Sequence, residues 1–142
     1  MRFMMIVKAN KESESGQLPS GDALAEMGKF NEELAKAGIM LAGEGLQASS
    51  KGARVAFKAR KPTVTDGPFT EAKELIAGFW IIQVKSKEEA ISWAKRVPFE
   101  DGELEIRQVF ETEDFAASDP TGEMRAEEQK LRETISKNSK KG

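Results

Sequence analysis

Leu75-Ile76-Ala77-Gly78-Phe79-Trp80-Ile81-Ile82-Gln83-Val84 is the most apolar stretch of the chain, broken only by Gly78 and Gln83. Its length and its aromatic and β-branched content read as a β-strand. Successive strand side chains alternate between faces, so Phe79 and Ile81 point one way while Trp80, Ile82 and Val84 point the other. Both sets are apolar. The sheet that holds this strand therefore has to be covered on both sides.

Upstream, Phe3-Met4-Met5-Ile6-Val7 is a second apolar run without alternation, and reads as a strand of the same kind. Residues 10–21 are polar, contain Gly16, Pro19 and Gly21, and read as a loop. Ser20 or Asp22 is placed to cap a helix whose apolar stripe is Ala23, Met27, Phe30, Leu34 and Ala37. Gly38 is placed to end that helix in a left-handed conformation. A strand starting at Ile39-Met40-Leu41-Ala42 then runs into Gly43-Glu44-Gly45-Leu46. Residues 53–58 and 62–65 look like the arms of a hairpin turned around Ala59-Arg60-Lys61. Asp66-Gly67-Pro68-Phe69 is a strong turn signal.

Downstream, Ser86-Lys87-Glu88-Glu89 has the pattern of a capping box. The helix behind it carries Ala90, Ile91, Trp93, Ala94 and Val97 and is stopped by Pro98. Leu104 and Ile106, extended by Val109 and Phe110, form a last strand in which Glu105 and Arg107 alternate outward. The order is β-α-β, an inserted hairpin, then β-α-β. This predicts an α+β domain of ferredoxin-like β-α-β-β-α-β type, an antiparallel sheet with both helices on one face. That domain spans residues 1–112. Residues 113–142 are expected to be a charged helical appendage, opened by Asp119-Pro120-Thr121-Gly122, running to about Ile135, with an apolar side of only Met124, Leu131 and Ile135.

Two helices cover one face of such a sheet and leave the other bare. The simplest cover is the sheet of an identical chain related by two-fold symmetry, so a homodimer is expected. The alternative is that the long hairpin folds back over the bare face.

Composition narrows the chemistry. A net charge of −2, from 22 basic and 24 acidic residues, provides no overall field to attract nucleic acid. The chain has no cysteine, histidine or tyrosine. Disulfides, thiolate nucleophiles, Ser-His-Asp triads, His- or Cys-based zinc sites and His-bound haem are thereby excluded. Chemistry here rests on carboxylates, lysines, arginines, hydroxyls and backbone dipoles. The apolar N-terminal run is too short for a signal-peptide core or a membrane span, and a cytoplasmic protein without a membrane partner is expected. No cofactor is called for. Asp66, Glu44 and Glu71 could in principle hold Mg²⁺ or Mn²⁺, but nothing in their spacing asks for it.

Val64-Thr65-Asp66-Gly67-Pro68-Phe69-Thr70-Glu71-Ala72-Lys73-Glu74 resembles the defining motif of the DGPF group within the YCII-related proteins. The blocks Phe30-Asn31-Glu32-Glu33-Leu34, Gly43-Glu44-Gly45-Leu46, Gly78-Phe79-Trp80 and Glu89-Ala90-Ile91-Ser92-Trp93-Ala94 resemble the flanking elements of that family, in the same order. The resemblance covers Met1 to about Phe110. It implies a dimeric α+β barrel with a cleft between the sheet and the motif loop. Some relatives place a His–Asp pair in that cleft, and many have a histidine after the leucine of the second strand. Here Leu46 is followed by Gln47-Ala48-Ser49, so no histidine-assisted step carries over.

Within such a cleft Asp66 either bonds backbone amides to hold its turn or acts as a general base or ligand anchor. Glu44, between two glycines, is a second ligand candidate, because flanking glycines allow close backbone approach. Glu71 and Lys73, with Glu74, could line the same cleft, or form a solvated turn. Arg54 could clamp an anion bidentately, or lie free on the hairpin surface. Two functions follow from these residues. One is a module that binds a small polar metabolite. The other is a histidine-independent lyase, isomerase or hydrolase with Asp66 as base and Arg54 or Lys73 stabilising negative charge. A scaffold that engages protein partners through the charged C-terminal helix is a third.

Overall fold

The computed structural model describes residues 1–70 and 74–139. The chain divides into two compact units, Met1–Gln108 and Val109–Gly142. In the first, β1 (Arg2–Lys8) is followed by α1 (Lys11–Glu14), α2 (Gly21–Lys36), β2 (Met40–Gly45), β3 (Ala53–Lys58), β4 (Lys61–Asp66), β5 (Ile76–Gln83), α3 (Lys87–Ala94) and β6 (Leu104–Gln108). The main sheet has the order β2-β5-β1-β6, and every neighbouring pair is antiparallel. With α2 and α3 this is the ferredoxin-like α+β arrangement expected from the sequence. The four strands form an open sheet that does not close into a barrel within one chain.

Register explains the two faces. Met5 lies between Trp80 and Ile106, and Phe3 lies opposite Ile82. These side chains join Phe30 and Leu34 of α2, Ala90 of α3, and Val84 and Val97 in one buried cluster. Each large member contributes about 1.5–3 kcal/mol by leaving water. The ring of Phe30 meets Trp80 edge-on, with centroids 5.5 Å apart. On the opposite face Met4 pairs with Ile81 and Ile6 with Phe79. None of these four belongs to the core cluster, and neither α2 nor α3 covers them.

Helix ends follow local chemistry. The Ser20 hydroxyl accepts from the Ala23 N–H at 3.1 Å and caps α2. Gly38, at φ +73°, ends it. There the N–H groups of Gly38 and Ile39 donate to the carbonyls of Ala35 and Leu34, a Schellman arrangement that feeds Ile39 into the core. The buried stripe of α2 is narrower than its apolar spacing suggested: Phe30 and Leu34 are buried and Met27 packs on them, while Ala23 and Ala37 are exposed. In α3 the Ser86 hydroxyl accepts from the Glu89 N–H at 3.1 Å. The returning arm of Glu89 bonds the N–H of Lys85 instead of that of the cap itself.

Several boundaries differ from the sequence reading. The expected loop over residues 10–21 contains α1, because Asn10 and Ser13 cap each other reciprocally. The hairpin turn is two residues long, not three, with Ala59 and Arg60 both at positive φ, so Lys61 opens β4 opposite Lys58. Strand β6 stops at Gln108, and Val109 and Phe110 lie beyond it.

In the second unit a 3-10 segment, Thr112–Ser118, precedes α4 (Glu123–Ser139). Asp119 organises its start. The carboxylate accepts from the N–H groups of Met124 at 3.2 Å and Arg125 at 2.9 Å, and from Arg125 Nε at 3.2 Å. The Asp119 carboxyl is held below the usual carboxylate range, chiefly by the Arg125 N–H, against an opposing push from burial. A lowered folded-state pKa contributes stability above the unfolded carboxylate value, and that contribution is lost as pH falls through the folded value. The Met124 and Arg125 amides should therefore stay protected from exchange at neutral pH and lose protection only in acid below the ordinary carboxylate range. In Asp119→Ala they should exchange fast already at neutral pH. Hydrogen-exchange NMR on the full chain reads both.

Candidate functional site

The hairpin β3–β4 pairs only with itself and all twelve of its strand positions are exposed. Its root is fixed at the DGPF turn. The Gly67 N–H donates to the Gly52 carbonyl at 3.0 Å, the Gly67–Pro68 bond is cis, and the Arg54 guanidinium lies 3.9 Å over the Phe69 ring. Ser49 holds the far side of the turn. Its hydroxyl accepts from the Phe69 N–H at 3.0 Å and donates to the Glu14 carboxylate, while its own N–H donates to Glu14 at 3.0 Å. Glu14 belongs to α1, so one serine ties three separate segments together. Gly67 is required by this packing: a Cβ there would sit 1.7 Å from the Ser49 carbonyl oxygen.

Asp66 ends β4, opposite Ala53. Its carboxylate is exposed and makes no hydrogen bond to another described residue. Arg54 is engaged with Phe69 and has further partners. Glu71 and Lys73 lie outside the described residues. Glu44 sits on the edge strand β2, opposite Phe79, so its side chain shares the face turned away from the helices. Arg54 and Phe69 are thus brought together at the turn. Glu44 instead borders a cleft that no described residue of the DGPF turn lines.

That cleft, about 300 Å³, runs between α2 and the end of the sheet. It is formed by Asn31, Trp80, Gly43 and Gly78 with Phe99 and Pro19. Asn31 Oδ1 accepts from the Trp80 indole N–H at 2.8 Å, which fixes the ring as one wall. Both glycines are needed for the close approach. A Cβ on Gly43 would meet the Trp80 ring at 2.9 Å, and one on Gly78 would meet the Glu44 carbonyl at 2.9 Å. A second cleft of about 500 Å³ adjoins it and shares Val7, Pro19, Ala77 and Phe99. Its polar wall includes Lys8, Asn10, Ser13, Asp101 and Glu103. Lys8 is held there by Glu105 at 3.5 Å. Volumes of this size suit a small molecule.

Sequence reasoning missed Ser49, Glu14, Asn31 and the 99–103 segment. Asn31 follows the buried Phe30 directly, which is the one local signal that it reaches the core; Ser49 lies in a polar stretch without pattern. Among the described residues no group of three acidic side chains is arranged to hold a metal ion.

The brace at the motif has a measurable consequence. Gly67→Ala should cost about 1–3 kcal/mol, because a backbone contact rather than a flexible side chain has to move. Gly45→Ala, where an added Cβ meets nothing within 4 Å, should change stability much less. Urea unfolding midpoints of the two variants compare them.

Comparison with curated proteins gives no match. Among solved structures, a 5-chloro-2-hydroxyhydroquinone dehydrochlorinase from Burkholderia phenoliruptrix, determined with 2,5-dihydroxybenzoquinone, aligns over 78% of this chain and 94% of its own, at 17% identity and a TM-score of 0.41. The sequence profile of the YCII-related domain matches residues 1–113. The match begins with β1, takes in α1, α2, α3 and every strand, and runs past the end of β6: the chain belongs to the YCII-related domain family.

Proposed function

We propose that this chain, a member of the DGPF group of its family, binds a small polar molecule in the two adjoining clefts at the end of the sheet, and does so as a homodimer. The observation that carries the binding reading is the pair of cavities, about 300 and 500 Å³, which share an apolar floor and present fixed polar groups above it. Trp80, locked by Asn31, gives a flat wall, and Glu44 stands at the rim. The lack of histidine costs such a function nothing.

Pairing is supported by the sheet. On the side without helices Met4, Phe79 and Ile81 are half-buried around a buried Ile6 and form an apolar surface. The hairpin does not fold back to cover it with its own apolar face: Val55, Phe57 and Val64 are 52, 73 and 65% exposed. A second sheet across a two-fold axis is the simplest remaining cover, and would turn two open sheets into a dimeric α+β barrel.

A second reading, an enzyme with Asp66 as general base, is favoured by one feature. The Asp66 carboxylate is exposed and, among the described residues, is not occupied in holding the turn. Proximity to substrate would then come from the motif segment, with Arg54 or Lys73 stabilising negative charge.

One screen separates these readings. A panel of small polar metabolites is tested by thermal shift against wild type, Glu44→Gln and Asp66→Asn. Trp93→Phe is added, leaving Trp80 as the sole indole fluorophore. Under the binding reading a ligand raises the melting temperature and quenches Trp80, Glu44→Gln reduces the shift, and no product forms. Under the enzyme reading product forms, and Asp66→Asn abolishes it at unchanged stability. A ligand that stabilises the protein without changing Trp80 emission would place its site elsewhere.

A further inference from the structure

The hairpin is two-sided. Ala53, Val55 and Phe57 of β3 share one face with Pro62 and Val64 of β4, and the register places Val55 opposite Val64 and Phe57 opposite Pro62. Isolated two-stranded ribbons are marginal in water and gain stability by packing an apolar face. Here that face is exposed, with Phe57 at 73%. The root is nevertheless held firmly, by Gly52, Phe69 and Ser49. Six residues per strand carry the tip about 20 Å from that root.

Charge is also segregated. Residues 51–66 hold Lys51, Arg54, Lys58, Arg60 and Lys61 against Asp66 alone, a net +4, so the other 126 residues carry −6 of the chain's −2. On the sheet face without helices Glu105 is paired with Lys8 and Arg107, which leaves Glu44 at its edge as a single carboxylate without an ion pair among the described residues. The 500 Å³ cleft gathers several. Glu12, Asp101 and Glu103 line it, and none of the three forms an ion pair with a described residue. Beside them Leu18 is 83% exposed and Phe99 38% exposed. Acidic groups next to exposed apolar ones are the complement of the hairpin tip, where Phe57 lies on one face of the ribbon, Lys58 and Lys61 follow on the other, and Arg60 is in the turn.

From this we propose that the hairpin of each protomer docks on a second copy of the chain, its basic tip at the acidic cleft mouth and Phe57 against Leu18 and Phe99. The hairpin then covers the ligand site of the partner and adds cations to a cleft whose own lysine, Lys8, is paired with Glu105. This rests on the homodimer proposed above. Nucleic acid would satisfy the cations but leave Val55, Phe57 and Val64 without an apolar partner.

Two measurements on the full chain test it. The first is charge exchange read by sedimentation equilibrium. Lys58→Glu with Lys61→Glu should weaken dimerisation about tenfold, and so should Asp101→Lys with Glu103→Lys. Mixing the two variants should restore a heterodimer of near wild-type affinity. The second uses the absence of cysteine: Phe57→Cys carrying a benzophenone probe is photolysed in isotopically mixed protein. Crosslinks should join unlike chains and map to residues 18–20 and 99–103. A wild-type dimer that is indifferent to the charge reversals, with crosslinks only within one chain, overturns the docking while the sheet-mediated dimer stands. A wild-type monomer overturns both. Unchanged dimerisation together with salt-sensitive capture of duplex DNA, lost in the Lys58→Glu, Lys61→Glu variant, would assign the hairpin to a polyanion instead.

Discussion

Everything in the first unit depends on the two-sidedness of β5. Its residues meet the helices through Trp80 and Ile82 and face the other way through Phe79 and Ile81, and β1 repeats the pattern with Phe3 and Met5 against Met4 and Ile6. Helices α2 and α3 satisfy one face only. On the other face Ile6 is buried and Met4, Phe79 and Ile81 are half-buried, and apolar surface of that kind costs a small domain stability where water reaches it. Under the proposed pairing, a copy of the chain would cover the rest of that face.

The DGPF segment has a mechanical role that its sequence does not announce. Gly67 lies against the Ser49 carbonyl, and the Phe69 amide and Glu14 carboxylate share the Ser49 hydroxyl. The turn is thereby fastened to α1 and to the segment before the hairpin. Such bracing lets a ribbon with no core of its own project in a defined direction. The clefts lie instead at the sheet end, where Gly43 and Gly78 allow the strand, Trp80 and the Glu44 backbone to approach closely. The motif and the cavities are therefore distinct parts, one orienting the hairpin and the other enclosing space.

How much of this the sequence disclosed follows from the range of the interactions. Alternation along β5, the Phe30–Leu34 stripe, the Gly38 terminator and the hairpin arms are local patterns, and the structure has them. Asn31 to Trp80 spans 49 residues and Glu14 to Ser49 spans 35. Hydrogen bonds over such separations leave no periodicity, so the wall of the cleft and the brace of the turn were illegible. The hairpin turn was read one residue too long because Ala59 and Arg60 lack the Gly or Asn that usually marks two left-handed positions. At the site, Glu44 was legible through its flanking glycines, and Asp66 through the motif. That no described residue of the turn lines the Glu44 cleft depends on tertiary placement alone.

The central claim, that the sheet face without helices is the seat of a second copy, is tested most directly by the mass of the chain in solution. Sedimentation equilibrium at micromolar concentration should give twice the 15.6 kDa of one chain for wild type, and the single-chain mass for a folded Ile81→Glu variant. A wild-type mass of one chain, with a cooperative unfolding transition, would contradict the account.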